Sequence, residues 1–197
     1  MVCNYCFENE EISNYIKENG LKALLNYQCT VCQSLEDEMY LLPKDDLAKK
    51  DEEIKNRAIN FSKEWETEQK EHAESQSFWN DFFNIFGISR KRVASFEEPV
   101  KKLGEQRGRI DLFWKGTLLV EHKSRGKDLA KAYTQAMDYF PGLKEAELPK
   151  YILISDFETF KLYDLEEDKN YEFTLNELYK NVHLFGFIAG YTKHKVV

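Results

Sequence analysis

The stretch RIDLFWKGTLLVEHKSR, residues 109–125, decides how this chain folds. Two short runs rich in apolar, β-branched and aromatic residues flank Lys115-Gly116, a pattern that predicts a β-hairpin. Side chains alternate across a strand, so Leu119, Glu121 and Lys123 share one face, and Leu118, Val120 and His122 the other. Both charges of Glu121-His122-Lys123 therefore leave an otherwise apolar strand on the same side. Charged groups are rarely buried unpaired, so such a strand needs a reason to carry them. Asp111, with nine residues between it and Glu121, offers one. Two carboxylates converging from neighbouring strands make an all-oxygen site for a hard divalent cation, Mg²⁺ above all. A nearby ammonium can orient water and steady charge developing on a phosphate. A metal between water and phosphate is a standard way to hydrolyse a phosphodiester. The alternative puts Glu121 and Lys123 on a solvated strand and Asp111 at a strand end. The D-x₉-E-x-K spacing alone does not separate the two.

Downstream, the polar turn Ser124–Asp128 leads into a helix expected to run to about Phe140, with Leu129, Ala132, Tyr133, Ala136 and Phe140 as its buried stripe. Gln135 and Tyr139 are four apart and share a face. Pro141-Gly142 stops the helix, and YILIS (151–155) reads as a buried strand. Phe160–Leu165 reads as another strand, and 174–188 as helical with Leu175, Leu178, Val182 and Phe185 buried. Upstream, residues 53–86 carry the longest helical pattern, with a break expected near Ser75-Gln76-Ser77. Phe78, Trp79, Phe82, Phe83 and Phe86 form an aromatic face that reads as core, and Gly87 ends the helix. Glu71 and Glu74 lie on its polar side, where a solvated face is the plain reading. Val93 and Ser95 through Pro99 predict an edge strand, because proline cannot donate to a ladder.

Composition fits a globular protein, with 42% hydrophobic and 32% charged residues in 197. No apolar run spans a bilayer. The N-terminus, MVCNYCFENEE, is acidic where a signal peptide is basic, so cytoplasmic residence is the default expectation. The net charge of −7 argues against a generally sticky nucleic-acid binder. Its distribution says more. Gly87–Lys131 holds 12 Lys/Arg against 6 Asp/Glu, leaving 16 basic and 29 acidic residues elsewhere. A basic patch on an acidic body suits a phosphate backbone, with Arg90, Lys91, Arg92, Arg107, Arg109, Arg125 and Lys127 as candidate DNA contacts.

All four cysteines fall early, as one pair of Cys3 and Cys6 and a second of Cys29 and Cys32, with 22 residues between the pairs. Two C-x-x-C knuckles in a reducing compartment predict one tetrahedral Zn²⁺. The ion is expected to be structural, since four thiolates leave no position for water. The intervening SNYIKENGLKALLNYQ reads as a short helix and turn. The expected organisation is a zinc module over 1–42, a charged linker over 43–56 and a larger domain over 57–197. The first 40 residues or so also resemble the cysteine-rich modules of HEPN/RES N-terminal type that precede certain toxin-type domains.

The order helix, strands with an acid and then acid–x–lysine, helix, strand resembles the PD-(D/E)xK nuclease fold. GRIDLFWKGTLLVEHKSRGKDLAKAYTQAMDYF, with ELPKYILISDFETFKLYDLE, QSFWNDFFNIFGI and NVHLFGFIAGY, further resembles the N-terminal endonuclease domain of MmeI-like type II restriction–modification enzymes. The resemblance covers roughly Glu53 to Tyr191. It implies an α/β fold with a mixed central sheet flanked by helices. It implies a DNA endonuclease of restriction or phage-defence type, dependent on Mg²⁺ or Mn²⁺. Asp111 and Glu121 become metal ligands, with the His122 backbone carbonyl a third. Lys123 becomes the catalytic lysine, and Gln135 and Tyr139 the helix motif beside the site. An upstream glutamate completes the metal site in this superfamily: Glu74 is the first choice and Glu71 the second. Ile110 stands where the superfamily name has proline.

That family's domain is followed by a helical spacer, a methyltransferase and a target-recognition domain, and no S-adenosylmethionine motif is visible here. The expectation is thus a truncated or stand-alone nuclease module, with a separate methyltransferase or specificity subunit, or a second copy, as candidate partners. The competing reading is a non-catalytic DNA-binding or docking module that keeps the fold for its basic surface and zinc knuckle.

Overall fold

The computed structural model describes residues 21–23, 39–41, 44–68, 71–102 and 107–189. Cys3, Cys6, Cys29 and Cys32, and with them the expected zinc site, lie outside these residues. The chain divides into two units, one of Met1–Phe61, Trp79–Val93 and Leu178–Val197, the other of Ser62–Phe78 and Ala94–Glu177.

In the first unit, β1 (Leu21–Ala23) pairs antiparallel with β2 (Met39–Leu41). Leu21–Ala23 is therefore strand where a helix was expected. Helix α1 (Lys44–Trp65) begins in the stretch read as linker. The lysines and glutamates of that stretch are good helix formers, and charges pair one turn apart, Asp51 with Lys55 at 2.6 Å and Glu53 with Arg57 at 3.9 Å. Helix α2 (Glu71–Ile85) runs unbroken through Ser75-Gln76-Ser77, and the interruption falls earlier, after Trp65. Gln76 and Ser77 are exposed, so weak helix propensity there costs little. Gly87 ends α2 with φ of 73°. The core of this unit is aromatic. Phe82 lies 6.0 Å from Phe61, 5.2 Å from Trp79, 5.5 Å from Phe86 and 5.1 Å from Phe185, all edge-on. A short helix, α3 (Arg90–Val93), follows.

The second unit is built on a six-stranded sheet of order β3-β4-β5-β6-β7-β8. Its strands are β3 (Ser95–Lys101), β4 (Arg107–Trp114), β5 (Leu118–His122), β6 (Tyr151–Ser155), β7 (Thr159–Asp164) and β8 (Lys169–Thr174). Only β5 and β6 run parallel, so the sheet is mixed. The β5–β6 crossover carries helix α4 (Leu129–Met137). Asp128 caps α4 by accepting from Ala130 N and Lys131 N. Leu129, Ala132 and Ala136, at spacings of three and four, bury against Ile110, Leu119, Ile152 and Ile154 on one face of the sheet. On the other face Phe78 meets Phe157 at 5.1 Å and Phe160 at 6.0 Å, and Trp65 meets Phe78 at 5.2 Å. As expected, β3 is an edge strand containing Pro99, but it starts at Ser95, and Val93, expected in it, ends α3.

Strand β8 was not anticipated. Beyond it, the segment read as one helix over 174–188 is a chain of 3₁₀ turns and a single short helix, α5 (Leu178–Asn181). Leu175, Leu178, Val182 and Phe185 are nonetheless all buried. Among the described residues, no helix is long and apolar enough to cross a membrane.

Candidate active site

Strands β4 and β5 pair as Leu112↔Val120, Phe113↔Leu119 and Trp114↔Leu118, joined by a turn in which Gly116 takes φ of 69°. The paired register ends at Leu112↔Val120, just short of Asp111 and Glu121. Asp111 raises the pKa of Glu121 through its charge, so the two carboxyl groups lie near one another. Asp111 Oδ2 also accepts from His122 N at 2.7 Å, which ties the acid of one strand to the backbone of the next.

Glu121 is fully buried. Its Oε2 accepts from Lys123 Nζ at 3.2 Å and from Gln135 Nε2 at 2.8 Å. Oε1 is buried with no hydrogen-bond partner. Burial first, and the Asp111 charge second, push the Glu121 carboxyl up to about 8, against the opposing pull of Lys123. Gln135 Nε2 also donates to Tyr139 Oη at 2.7 Å, and Tyr139 Oη donates to Arg109 O at 2.8 Å. Burial and the neighbouring Glu121 raise the Tyr139 pKa, so the phenol stays protonated as donor. His122 points to the opposite face, edge-on to Phe157 at 4.3 Å. Burial, and then the Lys123 charge, lower its pKa to about 3, which keeps the ring neutral.

The site therefore gathers Asp111, Glu121, Lys123, Gln135 and Tyr139. A divalent cation fits this donor set. It would give the bare, buried Oε1 a partner and offset the burial, and after it the Asp111 charge, that favours a protonated Glu121, and both carboxylates are hard oxygen donors. Glu74 lies half-buried on α2, whose first part, up to Phe78, belongs to the second unit with the site. Among the described residues, no group of three or more His, Cys, Asp or Glu side chains stands ready to hold a metal, so Glu74 does not complete a trio here. Glu71 begins the same helix.

The candidate DNA contacts separate. Arg107, Arg109 and Lys127 are exposed, Arg109 within 3.9 Å of Glu97. Arg125 is engaged internally, donating from Nη2 to Glu66 O at 2.9 Å. Arg90, Lys91 and Arg92 belong to the first unit, where Arg90 Nε bonds Asn80 Oδ1 and the other two are exposed. Sequence reasoning passed over Asp156, which is 5% exposed and accepts three backbone N–H groups. An aspartate just past a buried strand, with Thr159 three residues on, is the signal of an Asx turn and could have revealed it.

A family profile described as "MmeI, N-terminal domain" matches residues 56–196. No curated protein matches the chain. Among solved structures, a cryo-EM structure of a DrdV–DNA complex is similar, with a TM-score of 0.45 and 12% identity over 74% of this chain. The matched region spans 14% of the length of that chain.

Proposed function

The chain belongs to the MmeI N-terminal domain family, a family of restriction-type nucleases, and on that premise we propose that it is a Mg²⁺-dependent DNA endonuclease. The observation that carries the reading is the bare Oε1 of buried Glu121, within reach of the Asp111 charge and beside Lys123. A strand interior has no packing need for that arrangement.

Asp111 and Glu121 would hold the ion, with the His122 carbonyl as third ligand by the family resemblance. When bound, the ion supplies Lewis-acid stabilisation of charge on a phosphate oxygen. Lys123, its side chain 21% exposed, reaches solvent from beside Glu121 and can hold a water by hydrogen bond at the phosphate. Gln135 and Tyr139 fix the Glu121 carboxylate from behind, so its free oxygen keeps one direction. Exposed Arg107, Arg109 and Lys127 supply phosphate contacts, which position DNA without reading its sequence. Glu74, half-buried on α2, is the proposed upstream glutamate.

The test is incubation of purified chain with duplex DNA and Mg²⁺ or Mn²⁺. Cleavage is expected, reduced by about a hundredfold or more in Glu121→Ala and Lys123→Ala, and reduced in Glu74→Gln if that residue joins the site. Undiminished cutting by the first two variants refutes the assignment. Salt-sensitive DNA binding without cutting, whatever the divalent ion, would instead give the non-catalytic DNA-binding reading.

A further inference from the structure

Lys123 and Gln135 reach the same oxygen, Glu121 Oε2, from opposite ends of one short connection. Lys123 follows directly on β5, and Gln135 sits on α4, which begins at Leu129. The turn between strand and helix thus sets where both donors stand.

Asp156 holds that turn. Its Oδ2 accepts from Gly126 N at 2.9 Å, while Oδ1 accepts from Thr159 N at 2.8 Å and Glu158 N at 3.3 Å. The preceding residue helps, because Ser155 O accepts from Lys123 N at 2.8 Å. Arg125 clamps the same turn from another side, through Glu66 O at 2.9 Å and Glu158 at 4.0 Å. The turn closes through Lys127 N to Ser124 O at 3.1 Å, and Gly126 takes φ of 78°. A buried carboxylate that spends both oxygens on backbone donors has a fixed geometry to enforce, and losing it strands those donors.

We infer that Asp156 is a positioning residue for the site. By accepting the Gly126 N–H it fixes the turn that brings Lys123 and Gln135 onto one carboxylate oxygen. The catalytic consequence rests on the nuclease reading; the positioning does not.

Asp156→Asn separates the roles. One oxygen remains for Thr159 and Glu158, but the amide nitrogen then faces the Gly126 N–H, donor against donor. A second variant with an ester in place of the Arg125–Gly126 amide deletes that N–H alone and leaves Asp156 intact. Two readouts apply: the side-chain amide proton resonances of Gln135, and kcat for DNA cleavage beside Mn²⁺ affinity. In the wild type the two Gln135 protons, bound to Glu121 and Tyr139, should resonate far from solvent-exposed amides. Both variants should move them toward solvent values and lower kcat at least about tenfold, with Mn²⁺ affinity held within about threefold. Wild-type Gln135 resonances in both variants would overturn the positioning. Altered resonances with unchanged kcat would overturn its catalytic consequence. A wild type that cuts no DNA would sink the nuclease reading, and the Gln135 signature would still decide the role of Asp156.

Discussion

Gln135 donates to Glu121 across the face of the sheet, Nε2 to Oε2 at 2.8 Å, and the same nitrogen reaches Tyr139 Oη at 2.7 Å. One amide thereby spends both of its protons on fixing a buried carboxylate and a buried phenol. Replacing Gln135 by Leu keeps the volume and removes both bonds. Metal-free Gln135→Leu should lose about 1–3 kcal/mol of stability in denaturant titration, the cost of stranding buried polar groups. Stability within about 0.5 kcal/mol of wild type would show that these bonds do not form in solution.

The raised Glu121 pKa makes a pH statement. Its folded value of about 8 lies above the ordinary carboxyl value of 4.5, so the folded chain holds a proton that the unfolded chain releases. Stability from this group is fully present below the unfolded value and is lost as pH rises through the folded one. The Tm of metal-free protein should therefore fall between about pH 5 and pH 8 from this cause. Saturating Mg²⁺ should reverse the trend near pH 8, because the ion binds the ionised carboxylate. Glu121→Gln should abolish both effects, and a pH slope unchanged in that variant would assign it elsewhere.

Much of this site was legible in the sequence. Period-two alternation places Glu121 and Lys123 on one face and His122 on the other, because strand geometry fixes it even where, as in β5, both faces are buried. Gln135 and Tyr139 meet as their spacing suggests, although α4 stops at Met137 short of the expected Phe140, because the bond from Tyr139 N to Ala136 O winds the chain one tighter turn further. What escaped was governed by tertiary context. The charged stretch before Ile54 looked like linker, yet its Asp51–Lys55 and Glu53–Arg57 pairs are those of a helix. Strand β8 alternates only weakly, with Phe173 its one buried residue, so periodicity could not announce it. Arg125 counted as a cation free for DNA until its guanidinium was seen on Glu66 O.

Backbone proximity yields a further expectation. A Cβ at Gly142 would collide with the backbone carbonyl of Lys101, which cannot rotate away. Gly142→Ala should cost about 1–3 kcal/mol or more, read as a lowered denaturant midpoint. Gly108→Ala meets the Tyr139 ring at 2.8 Å and should disturb the phenol that anchors Gln135. A wild-type midpoint in Gly142→Ala would contradict that close approach.

For the segment holding Cys3, Cys6, Cys29 and Cys32 the expectation is chemical. Protein purified without chelator should carry about one zinc per chain by elemental analysis, and none after Cys29 and Cys32 are both replaced by serine. Zinc-free wild type would assign those thiols another role.

The shared ion is the centre of the account, and calorimetric titration of Mn²⁺ into the whole chain, with the N-terminal cysteines already zinc-loaded, tests it most directly. Wild type should bind Mn²⁺ with a stoichiometry that drops by one site in Asp111→Asn and, separately, in Glu121→Gln. If either single variant binds Mn²⁺ as wild type does, the two carboxylates do not hold one ion between them.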